Sequence, residues 1–259
     1  GQTASNRADY AMNSPQVEQA TREKEAFWDG VRISAPTMPG LIAWGAVTGM
    51  VMVQSGLSLW QAMLMTLVVY AGSAQLAVLP LIMAGAPIWL IFLTALLVNF
   101  RFIIFSAVVG PHFAHLHWTR RLWYGYFNAD LVMAFFPQRF PQHTFGKPLG
   151  KLGYFTGLAM PTWCSWQLGS LVGILLASQI PREWGIGFAG TLVLLGLTIP
   201  LIINRATLAG VVVASLVAVA AAGLPYRLGL IVAMLAGIAA SVSVDRLSTS
   251  LASQGEGES

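Results

Sequence analysis

The stretch from Thr94 to Val109, TALLVNFRFIIFSAVV, sets one arginine, Arg101, inside a run that is otherwise almost wholly apolar. A guanidinium stays charged at any ordinary pH, so its meaning depends on the solvent around the run. Of the 259 residues, 56% are hydrophobic and only 9% charged, and the mean hydropathy is +0.68. Soluble domains carry about 25% charged residues. The composition therefore reads as an all-α polytopic membrane protein. Cys164 is the single cysteine, which excludes an internal disulfide and a Cys-based metal cluster. The formal charge is +4, with basic residues spread over short loops rather than gathered in a stripe. Membrane orientation explains them, and nucleic acid is not an expected partner.

Working outward, hydrophobic segments fall at 36–54, 58–83, 87–109, 122–136, 152–178, 184–203, 206–222 and 228–244. Several approach the roughly 20 residues that cross a bilayer. The expected architecture is a bundle of about six to eight transmembrane segments, one or two of them broken or re-entrant. Three regions follow: a polar cytoplasmic segment (1–35), a transmembrane domain (36–246) and a disordered tail (247–259). Within the first, VEQATREKEAFWDGVR reads either as an amphipathic helix at the membrane surface, with Phe27 and Trp28 at the interface, or as a solvated tail.

Loop charges bear on the topology. If all eight segments cross from a cytoplasmic N-terminus, nine loop cations lie inside and four outside. If 58–83 and 122–136 instead return to the side they entered from, Arg120 and Arg121 move inside. The balance becomes eleven against two. The positive-inside rule favours the second arrangement, and both put the termini in the cytoplasm.

The segment at 58–83 has its own reason to be irregular: VVYAGSAQLAVLPL places Gly72 and Ser73 mid-segment and Pro80 beyond them. A chain that unwinds at Gly72 lets Ser73 cap a new half-helix, whose free N–H groups then suit a carboxylate. Gln75 adds a donor and an acceptor. The alternative is a continuous helix with Gly72 packed against a neighbour.

Arg101 lies nine residues before Gly110, about 13 Å along a helix, so a tolerated arginine snorkelling to the interface competes with a functional one. Helical spacing puts Arg101 on one face with Thr94 and Asn99 on another with Ser106, which suits a helix enclosed by protein or water. Asp130 is the only acid between Asp29 and Glu183, a candidate for pairing with Arg101 or for proton coupling. His112, His115 and His117 in HFAHLH resemble zinc ligands in spacing, but a solvated or headgroup-contacting loop is the better reading. Trp163 and Trp166 in WCSW suit packing or anchoring. Gly45/Gly49 and Gly169/Gly173 permit close helix contact. No Walker A loop, H-E-x-x-H or G-x-S-x-G is present, so neither ATP-driven transport nor a familiar hydrolase is expected.

These residues coincide with a family pattern. GLSLWQAMLMTLVVYAGSAQLAVLPLIMAGAP followed by LLVNFRFIIFSAVVGP resembles the AzlC family, the large subunits of branched-chain amino acid exporters. The matching elements are Gly56-Leu57-Ser58, Ala71-Gly72-Ser73-Ala74-Gln75 and Asn99-Phe100-Arg101. Asp130 stands where the family usually has an aspartate followed by a second acid. Here Leu131 follows, which weakens any paired-acid role. The resemblance implies a secondary carrier for leucine, isoleucine, valine and sometimes methionine in the bacterial inner membrane. It also implies a small AzlD-type membrane subunit as partner, no enzymatic activity and no cofactor. The expected substrate-contacting set is Tyr70, Gly72, Ser73, Gln75, Asn99 and Arg101, with Asp130 for proton coupling or ion pairing and no metal ligand.

Overall fold

The computed structural model describes residues 2–147, 149–181, 199, 202, 204–221 and 228–255; the expected segment at 184–203 lies outside them apart from two isolated positions. Among the described residues the regular structure is helical, with no strand. Three helical stretches are long and apolar enough to cross a bilayer: Pro15–Gln54, Ile88–Phe113 and Ile231–Thr249. The protein is an all-α membrane protein.

Helices α1 (Gln2–Ser34) and α2 (Met38–Gln54) run almost end to end through a 3-10 turn at Ala35–Thr37, and both pack along α9 (Lys151–Ala177). Small residues make this possible. A Cβ at Gly153, Gly157, Gly169 or Gly173 would collide with the carbonyl of Glu23, Phe27, Ile42 or Ala46 respectively. The pairing climbs both chains in the same direction, so α1–α2 and α9 are parallel. Gly45 and Gly49 meet α9 backbone in return. This is the close approach that small-xxx-small spacing permits, where dispersion between backbones replaces the hydrophobic effect that lipid cannot supply. On α1 the face at Ala26, Gly30 and Ser34 is buried, and the Glu23 carboxylate accepts from the Gly153 N–H at 2.5 Å. The segment expected at the membrane surface or in solvent therefore docks on a helix. The GxxxG pattern at 153/157 is the signal for that docking.

Helix α9 is a ruler for everything between. Gln54, at the end of α2, reaches the Ala177 carbonyl at 3.4 Å, which marks the far end. A turn at Gly56 (φ +92°) follows, a conformation that glycine adopts without steric cost. Then α3 (Leu59–Val68) starts with a capping box between Ser58 and Gln61. It descends until Thr66 meets Gln167, whose Nε2 donates to the Thr66 carbonyl at 2.9 Å. Residues 69–71 are non-helical, and α4 (Gly72–Met83) begins beside Trp166 and Trp44. After a turn at Gly85 (φ +65°), α5 (Ile88–Asn99) packs against α4.

Helix α6 (Arg101–Val109) continues α5 through Phe100, whose φ of −55° and ψ of −29° are helical, with one tightened bond from its N–H to the Leu97 carbonyl. The axis therefore keeps its direction. It ends low on the ruler, where the Phe113 ring lies 5.4 Å from Phe155. The α5–α6 stretch runs opposite to α9, so α3–α4 is a hairpin that enters from the far end and returns there.

The second broken segment mirrors this from the near end. In α7 (Trp118–Phe127), Tyr124 sits 5.7 Å from Phe155 and Phe127 sits 5.8 Å from Trp163, so the helix climbs. After the break at Asn128 and Ala129, α8 (Asp130–Arg139) descends until Phe140 lies 5.7 Å from Tyr154. There Arg139 pairs with Asp29 of α1 at 3.0 Å. Arg120 and Arg121 consequently lie at the end that holds Arg139, Lys147 and Lys151, the arrangement that loop charges favoured.

His112 departs from its expected solvated loop. It is buried, with its ring 5.3 Å from Phe136 and 4.5 Å from Phe145. An imidazole presents an apolar body as well as polar nitrogens, and here the aromatic neighbours draw that body inward. Among the described residues no three metal-ligating side chains gather.

In a second compact unit, α10 (Arg205–Ala220) starts with Asn204 accepting from the Thr207 N–H at 2.8 Å. It packs on α11 (Leu228–Gly255) through Gly210 and Gly237, where a Cβ on Gly237 would lie 2.7 Å from that of Ala214. Helix α11 runs to Gly255, so 247–255 is helix rather than a disordered tail. Ser248 and Thr249 donate their hydroxyls to the Asp245 carbonyl within it, the local back-bonding such residues make inside helices.

Candidate functional site

Two half-helices, α4 and α8, begin midway along α9 and point their N-termini toward one another's neighbourhood from opposite ends. Chain breaks expose backbone groups, and each break is handled differently. At the first, the initial intrahelical bond of α4 runs from the Gln75 N–H to the Ala71 carbonyl at 3.0 Å, so the N–H groups of Gly72, Ser73 and Ala74 precede the ladder. The carbonyl end of α3 is closed by Gln75, which is fully buried and donates through Nε2 to Met65 O at 3.2 Å and to Val69 O. Tyr126 adds a bond from its hydroxyl to the Leu67 carbonyl, and that same hydroxyl accepts from Trp163 Nε1 at 3.1 Å. The second hairpin thus ties off the first.

Ser73 does not cap α4. Ala71 holds the N-cap position with no side-chain bond, because the chain turns one residue earlier than Gly72. Ser73 Oγ instead accepts from Arg101 Nη2 at 2.7 Å. The same nitrogen lies 3.3 Å from Asp130 Oδ2. Asp130 is the first residue of α8, where a carboxylate meets the positive end of the helix dipole. Arg101 therefore bridges the starts of both half-helices. The side chains of Arg101 and Asp130 are 32% and 49% exposed, so the bridge is open rather than sealed.

Of the ten buried polar side-chain atoms without partners among the described residues, five lie on the two breaks and on α5–α6: Tyr70 OH, Gln75 Oε1, Asn99 Oδ1, Arg101 Nε and Asn128 Oδ1. Most buried polar side chains in folded proteins are satisfied, so these five atoms retain hydrogen-bonding capacity beside the breaks. Arg101 joins Ser73 and Asp130 directly, whereas Gln75 bonds α3 carbonyls, Tyr70 lies beside Tyr126 and Asn99 stands two residues before Arg101.

Sequence reasoning missed Tyr126, read Trp163 for packing or anchoring only, and gave Asn128 no task. The signal was available as a repeated pattern: Tyr70 lies ten residues before Pro80, and Tyr126 eleven before Pro137. Tyr70 lies in the first break and Tyr126 just before the second, and each proline sits inside the half-helix that follows. The two tyrosine rings lie 5.9 Å apart.

A family profile described as "AzlC protein" matches residues 36–180, which holds both hairpins and α9. An uncharacterized membrane protein of Helicobacter pylori is 25% identical over 155 residues, 60% of this chain and 66% of that protein. The inner membrane protein YgaZ of Escherichia coli is 23% identical over 170 residues, 65% of this chain and 68% of that protein. The chain thus matches about two thirds of the length of these relatives. No solved structure matches. The family match covers more than half of the chain and every element of the bridge between the half-helices, and on that ground this chain belongs to the AzlC family.

Proposed function

We propose that this chain is a secondary transporter that exports the branched-chain amino acids leucine, isoleucine and valine, and methionine, across the inner membrane. It works with a small AzlD-type membrane subunit and is driven by an ion gradient, with both termini cytoplasmic. The observation that carries the reading is the Arg101 bridge. One guanidinium at mid-segment depth touches the tips of two opposed half-helices, and both breaks carry unpartnered acceptors. An amino acid brings the groups this site lacks. Its carboxylate suits Arg101 and the N–H groups of Gly72 to Ala74, and its ammonium suits Asn99 Oδ1 and Gln75 Oε1.

Asp130 and the substrate carboxylate then compete for the same nitrogen of Arg101. Uptake of a proton by Asp130 releases Arg101 to the substrate, and loss of that proton returns it. Such exclusivity is the minimum needed to couple a proton to a solute. Tight discrimination among aliphatic side chains is not expected, since one methylene in an apolar pocket is worth about 1–3 kcal/mol.

The test is counterflow of labelled leucine in proteoliposomes, with the chain alone and with a candidate small subunit. Saturable uptake competed by isoleucine, valine or methionine supports a carrier. Arg101→Ala is expected to lower it by about 100-fold; undiminished counterflow from the folded variant sinks the site assignment. A non-transporting assembly subunit is the second reading, favoured by the direct Arg101–Asp130 contact. In that case Arg101→Asp with Asp130→Arg restores folding, and no solute stabilises the protein.

A further inference from the structure

A cavity of about 380 Å³ opens below the second break, between α6, α7 and the lower part of α9. That volume falls in the range of about 300–1,000 Å³ typical of small-molecule sites. Its walls are mostly apolar, with Phe113, Leu122 and Phe155 among them; besides the amphipathic rings of Trp118 and Tyr124, Arg121, Ser106 and Asn128 supply polar groups. Their heights differ. Arg121 lies in the first turn of α7 at the near end, Ser106 about one and a half turns along α6 from Arg101, and Asn128 at the top of the break, two residues before Asp130. Asn128 is 7% exposed, and its Oδ1 has no partner. An unpaired buried carbonyl oxygen costs free energy unless something supplies a donor.

We propose that this cavity is the loading site for the transported amino acid on the side that carries Arg120 and Arg121. The inference rests on the transport reading. Arg121 takes the carboxylate at the mouth, the ammonium reaches upward to Asn128 Oδ1 and Ser106 Oγ, and the aliphatic side chain lies against Phe113, Leu122 and Phe155. From there the solute has one step to the bridge, because Asn128 and Asp130 share a single turn of chain. The donor set also defines the ligand class. One cation at one end and one bare acceptor at the other suit a zwitterion with an apolar body. A cationic amino acid would set its side chain among aromatic rings without an acid to receive it, for among the described residues no acid lines the cavity.

The experiment is protection from alkylation in the full chain with Cys164 replaced by serine. A single cysteine enters by Gly125→Cys, on the cavity wall, where an added Cβ meets nothing within 4 Å. Ser106→Cys is the second variant should the first not fold. Modification by N-ethylmaleimide is followed in vesicles of phosphatidylethanolamine and phosphatidylglycerol, with and without leucine. Leucine is expected to slow it about fivefold and lysine to leave it unchanged. Arg121→Gln raises the half-protecting leucine concentration about tenfold, the size of one charge-assisted contact, whereas Arg120→Gln does not. No protection by leucine in a protein that performs leucine counterflow overturns the cavity assignment and leaves the transport reading standing. Protection that follows phosphatidylglycerol content and ignores leucine also overturns it, because a lipid headgroup then fills the cavity. Protection by leucine without counterflow sinks the transport reading and with it the loading role, and leaves the cavity as an amino-acid site only.

Discussion

The two hairpins share a plan and differ in how they are finished. Each has a ten-residue helix, a short non-helical break and a second helix with a proline inside it. At the first break Gly72, Ala74, Gln75 and Leu76 are all buried, the orphan carbonyls of α3 are met by Gln75 and Tyr126, and Trp166 and Trp44 press on Gly72. At the second, Asp130 is half exposed, Asn128 is unpaired, and a cavity lies beneath. A transporter needs a fixed anchor as well as a part that solute and solvent can reach. The difference makes α3–α4 the anchored wall, whose solute-facing edge is Ser73 and the first N–H groups of α4, and α7–α8 the part that solvent reaches.

The comparison breaks most easily at its glycines. A side chain at Gly72 would drive into two indole rings, so Gly72→Val is expected to cost about 1–3 kcal/mol or more, since overpacking forces neighbours off their rotamers. Gly125 on α7 has open space where a methyl group would sit, with nothing within 4 Å, and Gly125→Ala is expected to gain up to about 1 kcal/mol of helix propensity. Thermal unfolding in detergent reads both. If Gly72→Val melts with the parent protein, the first break is not sealed.

A smaller effect separates the two amides. Gln75→Ala removes a fully buried side chain and two donations to α3 carbonyls, which should cost about 2 kcal/mol. Asn128→Ala removes a buried amide whose carbonyl oxygen is unused, so no hydrogen bond of that oxygen is lost and its cost in stability should be about 1 kcal/mol or less. Its cost should appear in transport, as a raised half-saturating leucine concentration. Equal destabilisation by both substitutions would erase the distinction between anchor and working part.

How much of this was legible beforehand depends on the range of the signal. The broken segment at 58–83, the Gly45/Gly49 contact and the return of 122–136 to its own side follow from local residues and loop charges, because Gly, Pro and Arg act where they stand. The partner of Ser73 was not legible. Capping is a local habit of serine, and it lost here to Arg101, 28 residues away. Docking of α1 escaped for a similar reason. Glu23, Phe27 and Gly30 read as a polar surface helix, since the matching glycines of α9 lie 130 residues on, as Glu23 and Gly153 do. Asn128 was visible as a polar residue in an apolar run, but only the cavity beneath it gives it a task.

The finest test of the comparison is the tyrosine pair. Tyr126 uses its hydroxyl twice, donating to Leu67 of the first hairpin and accepting from Trp163 of α9. Tyr70, 5.9 Å away ring to ring, has a buried hydroxyl with no partner. Removing one oxygen from each therefore asks whether position or bonding matters. Tyr126→Phe leaves the Trp163 N–H without an acceptor and should cost about 1 kcal/mol, with faster amide exchange at 67–69 where α3 ends. Tyr70→Phe removes an oxygen that bonds to nothing in the protein, so stability should hold or rise slightly. Its loss should be felt only when a solute is present to use that hydroxyl, as a weaker response of the unfolding midpoint to leucine. If Tyr70→Phe instead lowers stability without solute and leaves the leucine response intact, the hydroxyl belongs to the anchor and the solute-facing surface ends at Ser73.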